Sequence, residues 1–427
     1  MDFYRVKGEK PLYGKVKTAG AKNAVLPEIA AAMLAKEPVK LTNVPYLSDV
    51  RNMGDICSLA GAVCNYTEGS LLLDGEHFTD STVPYESACK LRTSFLFAGP
   101  MLARFGKMKI SLPGGCNIGT RPIDLHLKGF EKMGAVINCD SGFVEAVAPT
   151  GLKGAEIYLD FPSVGATENI MMAACLAQGQ TLIINCAQEP EIRDLATLLC
   201  KMGASVSMPE SECIVIEGVP ELHGAVHSVM ADRIEAGTYM LAVASTGGNV
   251  EVNGIDPFLV QPICAKLRES GVEVIETNNS VRIISGRDAR AVDVKTLPYP
   301  GFPTDLQAQI TAFLATAKGT GIVTETIFEN RFNHIGELCR MGAGIKLEGR
   351  SAIVEGCNYL TGATVTAKDL RAGAALLIGA LCARGETRIF GLKHLDRGYY
   401  NLSENLKNIG AEIERCRDVS ESVGTFL

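Results

Sequence analysis

The apolar and polar positions of this chain recur in a fixed order: a mainly apolar segment, a glycine followed by a small residue, and then alternating positions typical of a strand. Six copies occur, and their glycines are separated by 73, 69, 68, 71 and 68 residues. Glycine suits the position just after a helix, where the left-handed backbone costs it little. We therefore predict six helices, each followed by a strand, that end at Gly61, Gly134, Gly203, Gly271, Gly342 and Gly410.

A second, alanine-rich segment occurs once in each copy, ahead of the glycine. These segments are apolar nearly all round, which predicts buried helices, and a strand follows each. The period is too long for a solenoid repeat of about 20–50 residues. We therefore predict an α/β fold of two inside-out domains, each made of three similar βαβαββ-type units with buried helices and outer sheets. The six segments are 24–44, 94–112, 168–186, 235–253, 306–325 and 370–390.

The predicted domains divide between the third and fourth copies, which gives residues 22–229 for the first domain and residues 1–21 plus 230–427 for the second. A chain of 427 residues with 47% hydrophobic composition is long enough to bury two cores. A cleft between two similar domains is a common ligand position.

Charge and composition exclude several classes of function. The net charge is −7, which disfavours a general nucleic-acid binder. The first 17 residues are charged throughout, and no run approaches the about 18 apolar residues of a membrane helix. We expect a soluble, cytoplasmic protein without membrane insertion.

The sequence shows no pattern typical of a metal or cofactor site. The 14 cysteines include no CxxC pair, the six histidines are scattered, and no Walker A loop or GxGxxG after a strand occurs. We expect buried, reduced thiols in an intracellular protein. Neither a metal nor a cofactor is predicted.

The segment PGGCNIGTRP, residues 113–122, carries the strongest local signal for chemistry. Three glycines between two prolines are compatible with a lid that carries one reactive side chain, Cys116. Arg121 favours the thiolate form of that cysteine and can also bind an anionic substrate. The alternative is a surface hairpin with a free thiol.

Basic side chains stand where several of the apolar segments begin, although the positive end of a helix dipole repels them by about 0.3–1 kcal/mol. Each needs either a salt bridge to a carboxylate across the domain interface or a bound anion. The residues are Lys22, Arg92, Arg233 and Arg371.

Asp305 lies in YPGFPTDLQAQ, just before a predicted buried helix. It can be an N-cap, or a general base if burial raises its pKa. Arg331 in ENRF and Arg397 in LDRGY suit bidentate recognition of phosphate or carboxylate.

Taken in order, seven motifs closely resemble the UDP-N-acetylglucosamine enolpyruvyl transferases of the enolpyruvyl transferase family, over essentially the whole chain. The motifs are GAKNAVLPEIAAAMLA, PGGCNIGTRPIDLHLKGFEKMGA, SVGATENI, YPGFPTDLQAQ, ENRFNH, DLRAGAALLIGAL and DRGY. The resemblance implies the two-domain inside-out fold, with the first strand belonging to the second domain. It also implies enolpyruvyl transfer from phosphoenolpyruvate to the 3′-hydroxyl of UDP-N-acetylglucosamine with release of phosphate, the first committed step of peptidoglycan synthesis.

The same resemblance implies roles for individual residues. Cys116 delivers a proton to C3 of phosphoenolpyruvate, forms a covalent adduct and reacts with fosfomycin, and Asp305 is the base at the sugar hydroxyl. Lys22, Arg121 and Arg397 hold the phosphate or carboxylate of phosphoenolpyruvate. The further residues implied to bind substrate are Asn23, Arg92, Pro122, Ile123, Asp124, Leu125, Ser163, Val164, Gly165, Ile327, Arg331, Asp369 and Arg371.

Two alternatives stay open from the sequence. The sister enzyme 5-enolpyruvylshikimate-3-phosphate synthase shares fold and chemistry but lacks a cysteine lid, and an inactive homologue with a regulatory role is the other. Asn117 and Thr120 depart from the residues common in the family, which leaves the dynamics of the lid open. We expect a monomer whose partners are the two substrates.

Overall fold

The computed structural model describes residues 2–112, 123–210 and 212–417. Within these ranges the chain forms two compact units. The N-terminal unit contains residues 20–112, 123–210 and 212–230, and the C-terminal unit contains residues 2–19 and 231–417.

The six apolar, alanine-rich segments form helices, as predicted, and two of these helices follow directly on a 3-10 turn. These turns are Arg92–Phe97, before α4, and Thr304–Leu306, before α10, and a third turn is Pro257–Val260. The helices of the described residues are α1 (Lys22–Ala32), α2 (Ser48–Leu59), α3 (Tyr85–Lys90), α4 (Ala98–Phe105), α5 (Asp124–Lys132), α6 (Val164–Ala174), α7 (Pro190–Lys201), α8 (Arg233–Thr246), α9 (Gln261–Glu269), α10 (Gln307–Leu314), α11 (Ile335–Arg340), α12 (Leu370–Cys382), α13 (Leu392–Leu395) and α14 (Leu402–Asn408).

The strands are short and fall between the helices. In chain order they are β1 (Asp2–Lys7), β2 (Leu12–Lys17), β3 (Val39–Thr42), β4 (Val63–Thr67), β5 (Ser70–Asp74), β6 (Thr82–Val83), β7 (Lys107–Ser111), β8 (Val136–Asp140), β9 (Phe143–Val147), β10 (Glu156–Tyr158), β11 (Gln180–Ile184), β12 (Ser205–Glu210), β13 (Cys213–Glu217), β14 (Val226–Ser228), β15 (Gly248–Asn253), β16 (Glu273–Thr277), β17 (Ser280–Ser285), β18 (Val294–Lys295), β19 (Thr320–Thr324), β20 (Gly344–Glu348), β21 (Ser351–Glu355), β22 (Thr364–Thr366), β23 (Glu386–Phe390) and β24 (Glu412–Arg417).

Within the described residues, each unit contains three four-stranded sheets of the same design. In each sheet the first two strands of the order pair in parallel. The second, third and fourth strands then pair antiparallel to one another in turn. In the N-terminal unit the orders are β14-β3-β5-β4, β6-β7-β9-β8 and β10-β11-β13-β12. In the C-terminal unit they are β2-β15-β17-β16, β18-β19-β21-β20 and β22-β23-β1-β24.

Strands from distant parts of the chain complete three of these sheets. β14 lies parallel to β3, with Val226 opposite Lys40, and so joins the last strand of the N-terminal unit to its first sheet. In the C-terminal unit β2 pairs in parallel with β15. β1 lies between β23 and β24, antiparallel to both.

The helices in the middle of each unit form its core. Every residue of α8 is buried, as is every residue of α12 after Leu370, and α8, α10 and α12 pack against one another. In the N-terminal unit α4 packs on α6, and α1 packs on α7. Short strands such as β10 alternate exposed and buried positions, so that one face covers the helices. The predicted α/β architecture with buried helices is confirmed.

All six repeat glycines have a left-handed backbone, with φ between 87° and 103°. The prediction that each ends a helix just before a strand is therefore confirmed, because a residue with a Cβ would be strained at this φ.

The cysteines of the described residues are all free thiols. The expectation that they are buried is wrong for Cys89, Cys139, Cys200 and Cys339, which are exposed. Cys139, for example, lies on β8, where only Ile137 is partly buried, so apolar neighbours in the sequence do not by themselves imply burial. None of the helices described is both long and apolar enough to cross a lipid bilayer.

Candidate active site

Asp305 lies at the centre of a charged cluster in the C-terminal unit. Its Oδ1 accepts a hydrogen bond from Arg331 Nη2 at 2.6 Å, and its Oδ2 accepts one from Arg371 Nη2 at 2.7 Å. Asp305 is in the 3-10 turn before α10, and Arg371 is in the first turn of α12. We call Asp305, Arg331 and Arg371 the Asp305 cluster.

The two guanidinium groups determine the protonation of Asp305. Burial alone would raise the pKa of this carboxyl, but the charges of Arg371 and Arg331 outweigh burial and hold the pKa well below its usual range. The condition attached to the general-base alternative, that burial raises the pKa of Asp305, is therefore not met. Both arginines are almost fully buried, with 6% and 5% of their side chains exposed, so the carboxylate compensates charges that water does not reach.

Glu325 holds the turn that leads to Arg331. Its side chain is fully buried and accepts hydrogen bonds from the hydroxyls of Thr296 at 2.9 Å and Thr304 at 2.8 Å. Oε1 also accepts the backbone N–H of Ile327 at 2.8 Å. The hydroxyl of Thr304 in turn accepts a hydrogen bond from Arg331 Nη1 at 2.8 Å. One buried carboxylate thus fixes both the substrate-binding candidate Ile327 and the orientation of Arg331.

A second network orients Arg371. Its Nη1 donates to the hydroxyl of Tyr399 at 3.2 Å, and the guanidinium carbon lies 5.6 Å from the centre of that ring. The hydroxyl of Tyr399 also lies 3.0 Å from that of Thr238 and accepts from the amide of Gln309 at 3.2 Å. These contacts come from α8, α10 and α12, so the core of the unit sets the position of Arg371.

Asp369 is the N-cap of α12. Its Oδ1 accepts the backbone N–H groups of Arg371 and Ala372 at 3.0 and 2.8 Å. Asn333 donates to the other oxygen at 3.3 Å. Arg397 follows α13. Burial, together with the charges of Lys393 and Arg397, lowers the pKa of His394. The charge of Asp369 acts on the same pKa in the opposite direction.

In the N-terminal unit, Lys22 is the first residue of α1 and forms a salt bridge with Asp49 at 2.9 Å. Asp49 is 1% exposed. The backbone just before α1 packs tightly against Asn43. A Cβ on Gly20 would lie 1.8 Å from the carbonyl oxygen of Asn43. This contact fixes the start of the helix, and with it Lys22 and Asn23.

The starts of α5 and α6 lie side by side. His126, in the first turn of α5, is close to Gly165, where a Cβ would lie 3.2 Å from the imidazole. Its Nδ1 is 2.9 Å from the amide nitrogen of Asn169, and partial burial together with the charge of Arg92 lowers the pKa of His126 to about 3. Ser163 caps α6, accepting the N–H of Ala166 at 3.4 Å. The candidates near this pair of helix starts are Arg92, Ile123, Asp124, Leu125, Ser163, Val164 and Gly165.

The structure brings the sequence-predicted candidates together in two groups, one in each unit. Asp305, Ile327, Arg331, Asp369 and Arg371 belong to the group in the C-terminal unit. For Lys22 and Arg371 it shows the carboxylate partner that was one of the two alternatives, and in each case the partner lies in the same unit. The candidates Cys116, Arg121 and Pro122 lie outside the described residues.

Sequence reasoning missed the residues that support the charged groups: Asp49, Thr296, Thr304, Gln309, Glu325 and Tyr399. A polar residue inside an otherwise apolar segment was the available signal, since Gln309 and Glu325 both lie within the segment 306–325. Within the described parts of these two groups, no three residues bring metal-ligand atoms close together.

Comparison with known proteins places the chain in a family. Residues 6–406 match the family model for EPSP synthase (3-phosphoshikimate 1-carboxyvinyltransferase). The chain is 53% identical over 420 residues to UDP-N-acetylglucosamine 1-carboxyvinyltransferase 2 of Carboxydothermus hydrogenoformans, covering 98% of this chain and 100% of that protein. It is also 53% identical to UDP-N-acetylglucosamine 1-carboxyvinyltransferase 1 of Caldanaerobacter subterraneus subsp. tengcongensis, covering 96% of this chain and 98% of that protein.

Solved structures share the fold. The enolpyruvyl transferase NikO from Streptomyces tendae matches with a TM-score of 0.88 and 24% identity, over 97% of this chain and 98% of that one. EPSP synthase from Acinetobacter baumannii matches with a TM-score of 0.74 and 18% identity, over 97% of this chain and 100% of that one. The chain therefore belongs to the EPSP synthase family and, within it, to the group of relatives named UDP-N-acetylglucosamine 1-carboxyvinyltransferase.

Proposed function

We propose that this protein transfers the enolpyruvyl group of phosphoenolpyruvate to the 3′-hydroxyl of UDP-N-acetylglucosamine and releases phosphate, as a step of peptidoglycan synthesis. Identity of 53% over 98% of the chain to a relative of that name supports the activity. The Asp305 cluster is the structural observation that carries it, because a carboxylate between two buried arginines provides both an acceptor for a hydroxyl proton and cations for an anionic substrate.

The cations bind the anionic groups of both substrates. Lys22 and Arg397, with Arg121, hold the phosphate or carboxylate of phosphoenolpyruvate, and Arg92, Arg331 and Arg371 add positive charge. Several residues assigned to the UDP-sugar stand at the N-termini of α5 and α6, and helix N-termini favour phosphate. The existing salt bridge to Asp49 keeps the Lys22 ammonium oriented before substrate binds.

Addition and elimination account for the atoms of the reaction. The thiol proton of Cys116 passes to C3 of phosphoenolpyruvate, and the 3′-oxygen of the sugar forms a bond to C2 while its proton passes to Asp305. In the elimination half, a proton leaves C3 for the Cys116 thiolate and the bond from C2 to the phosphate oxygen breaks. The proton held by Asp305 passes to the departing phosphate, so both side chains regain their starting states. The low pKa makes Asp305 a weak base. It therefore accepts the hydroxyl proton only as the new bond forms, because bond formation makes the hydroxyl acidic.

The two compact units correspond to the two transferase domains in this proposal, and residues 113–122 act as the lid that carries Cys116. Such a lid excludes water from the oxocarbenium-like and ketal species. The enzyme works as a monomer in the cytoplasm.

An assay of phosphate release tests the reaction directly. The purified chain is incubated with phosphoenolpyruvate and UDP-N-acetylglucosamine, with phosphoenolpyruvate and shikimate 3-phosphate, and with phosphoenolpyruvate alone. We expect release with the UDP-sugar and background rates in the other two reactions. Release with shikimate 3-phosphate instead would identify the sister activity, and no release in any reaction would identify an inactive homologue.

The Cys116→Ala variant tests the assigned acid. It should lose nearly all turnover but still bind UDP-N-acetylglucosamine, because removal of a positioned proton donor affects catalysis more than binding. Cys116→Asp should retain activity and resist fosfomycin. The exposed Cys139→Ala is the matched control and should be indistinguishable from wild type. A rate for Cys116→Ala near that of wild type would contradict this role.

A further inference from the structure

Three potential metal ligands converge inside the N-terminal unit, on elements that the proposed reaction does not use. Glu28 is on α1, Asp194 is on α7 and His227 is the middle residue of β14. One side-chain ligand atom from each lies within 4.8 Å of the other two. Glu28 and His227 are buried, and Asp194 is 13% exposed.

The carboxylate of Glu28 lacks a hydrogen-bond partner among the described residues. Both oxygens are buried and neither receives a hydrogen bond, although the side chain is 0% exposed. A buried carboxylate without compensation is costly, so the site requires a proton or a cation. Nε2 of His227 lies 3.4 Å from Oε1 of Glu28.

The separations of the ligand atoms fit a small metal ion. Nε2 of His227 is 3.1 Å from Oδ1 of Asp194 and 3.4 Å from Oε1 of Glu28. Zn²⁺ binds His nitrogen and carboxylate oxygen at about 2.0–2.2 Å in a tetrahedral arrangement, which puts neighbouring ligand atoms about 3.3–3.6 Å apart. A cation between these atoms therefore requires only small adjustments of the side chains.

One 2+ ion would neutralise two carboxylates and a neutral imidazole. The other oxygen of Asp194 accepts the backbone N–H of Met230 at 2.9 Å, which orients it as outer contacts orient metal ligands. Lys201 Nζ lies 3.1 Å from Nδ1 of His227. When a metal binds Nε2, Nδ1 of His227 carries the proton and cannot accept a hydrogen bond from Lys201. Lys201 is exposed, so its ammonium group can turn to solvent.

We propose that Glu28, Asp194 and His227 bind Zn²⁺ or a similar divalent transition metal at a structural site. The ion joins α1 and α7 to β14, the strand that completes the first sheet of this unit. It thereby stabilises the helix whose first residue is Lys22. Sequence spacing could not reveal this site, because the three ligands are 166 and 33 residues apart.

Metal titration of the full chain tests the site. Wild-type protein is stripped with a chelator and titrated with Zn²⁺ against a chromophoric competitor, in parallel with Glu28→Gln and His227→Gln. The matched controls are Glu221→Gln and His223→Gln, which change exposed residues of the same types in the same unit. Zinc bound by cysteines is common to all five proteins and cancels in the comparison.

We expect wild type and both controls to bind one more Zn²⁺ per chain than Glu28→Gln and His227→Gln, whose affinity at this site should fall by more than about 100-fold. Zn²⁺ should also raise the melting temperature of wild type but not that of Glu28→Gln. Equal zinc stoichiometry and equal melting shifts in wild type and Glu28→Gln would overturn the proposal and leave a shared proton as the counter-charge. Glu28→Gln preserves the shape of the side chain, so it keeps the test decisive should His227→Gln fail to fold.

Discussion

The charged residues of the C-terminal unit depend on one another. Asp305 is the shared partner of Arg331 and Arg371, and each of these arginines has a further contact, to Thr304 and Tyr399 respectively. The same groups that serve the proposed reaction are therefore also part of the structure. Activity and stability should respond together when one of them is removed.

Asp305→Asn should abolish activity and lower the free energy of unfolding by about 3–5 kcal/mol, since two buried guanidinium groups lose their counter-charge. The pKa of Asp305 is lower in the folded than in the unfolded protein, so its stabilisation is complete above pH 3.8, its usual value, and is lost as the pH falls through the folded pKa. Urea unfolding from pH 3 to 8 measures the difference between wild type and variant.

That difference should stay constant from pH 5 to 8 and shrink only in strong acid. The exposed Asp288→Asn provides the control and should stay within about 0.5 kcal/mol of wild type. A difference that already disappears near pH 5 would mean that the arginines do not hold Asp305 ionised.

Glu325→Gln should disturb the Ile327 turn and Arg331 at once. An amide has one accepting oxygen where the carboxylate accepts from two hydroxyls and from backbone N–H groups, so a loss of about 1–3 kcal/mol in stability is expected. The KM for UDP-N-acetylglucosamine should rise through Ile327. Steady-state kinetics compare this variant with Glu329→Gln, which changes an exposed residue of the same loop; unchanged kinetics for Glu325→Gln would remove its positioning role.

At the residue scale the sequence predicted which side chains carry charge but not how they are paired. Nothing in the pattern around Lys22 points to Asp49, because that contact depends on the packing of α1 against α2. Likewise, the general-base alternative for Asp305 considered burial alone and left out two arginines that are 26 and 66 residues away. Tertiary neighbours decide protonation, and they are not visible in local sequence.

The elements were much more predictable. Apolar segments such as 235–253 and 370–390 specify buried helices because no face of them is polar, and the six glycines mark the helix ends by their left-handed backbone. What the pattern did not provide was the 3-10 turn before α4 and α10, since helix type at an N-terminus depends on local packing.

Gly20→Ala should move the start of α1. Its Cβ would lie 1.8 Å from the backbone oxygen of Asn43, so the backbone must shift, and Lys22 shifts with it. We expect a clear loss of kcat and a lower melting temperature. Gly336→Ala is the control: it lies in α11 with open space around its Cβ, and should gain up to about 1 kcal/mol from helix propensity. Equal behaviour of the two variants would refute the close approach at Gly20.

At the scale of the molecule, each unit contains a histidine whose strongly lowered pKa should make the unit sensitive to acid. Burial, opposed by Asp369 and assisted by Arg331, lowers the pKa of His334 to about 4, and the pKa of His126 is about 3. Below the ordinary value of 6.5 the unfolded chain binds the proton first, so each histidine costs up to about 1.4 kcal/mol of stability per pH unit as the pH falls toward its folded pKa.

His334→Gln should therefore flatten the loss of stability of the C-terminal unit between pH 6.5 and 4, measured by urea unfolding at several pH values. The exposed His223→Gln, in the other unit, should leave the profile unchanged. The idea fails if wild type and His334→Gln lose stability in parallel over this range.

The place of β1 between β23 and β24 also has a consequence for synthesis of the protein. Ribosomes add about 5–20 residues per second, so β1 leaves the ribosome about 20–80 s before either neighbour exists. The N-terminal unit, by contrast, has all its strands once β14 has been made. Until their partner strands are made, β1 and β2 present unpaired edges, and charged positions such as Arg5 and Lys15 disfavour pairing of these edges with other nascent chains.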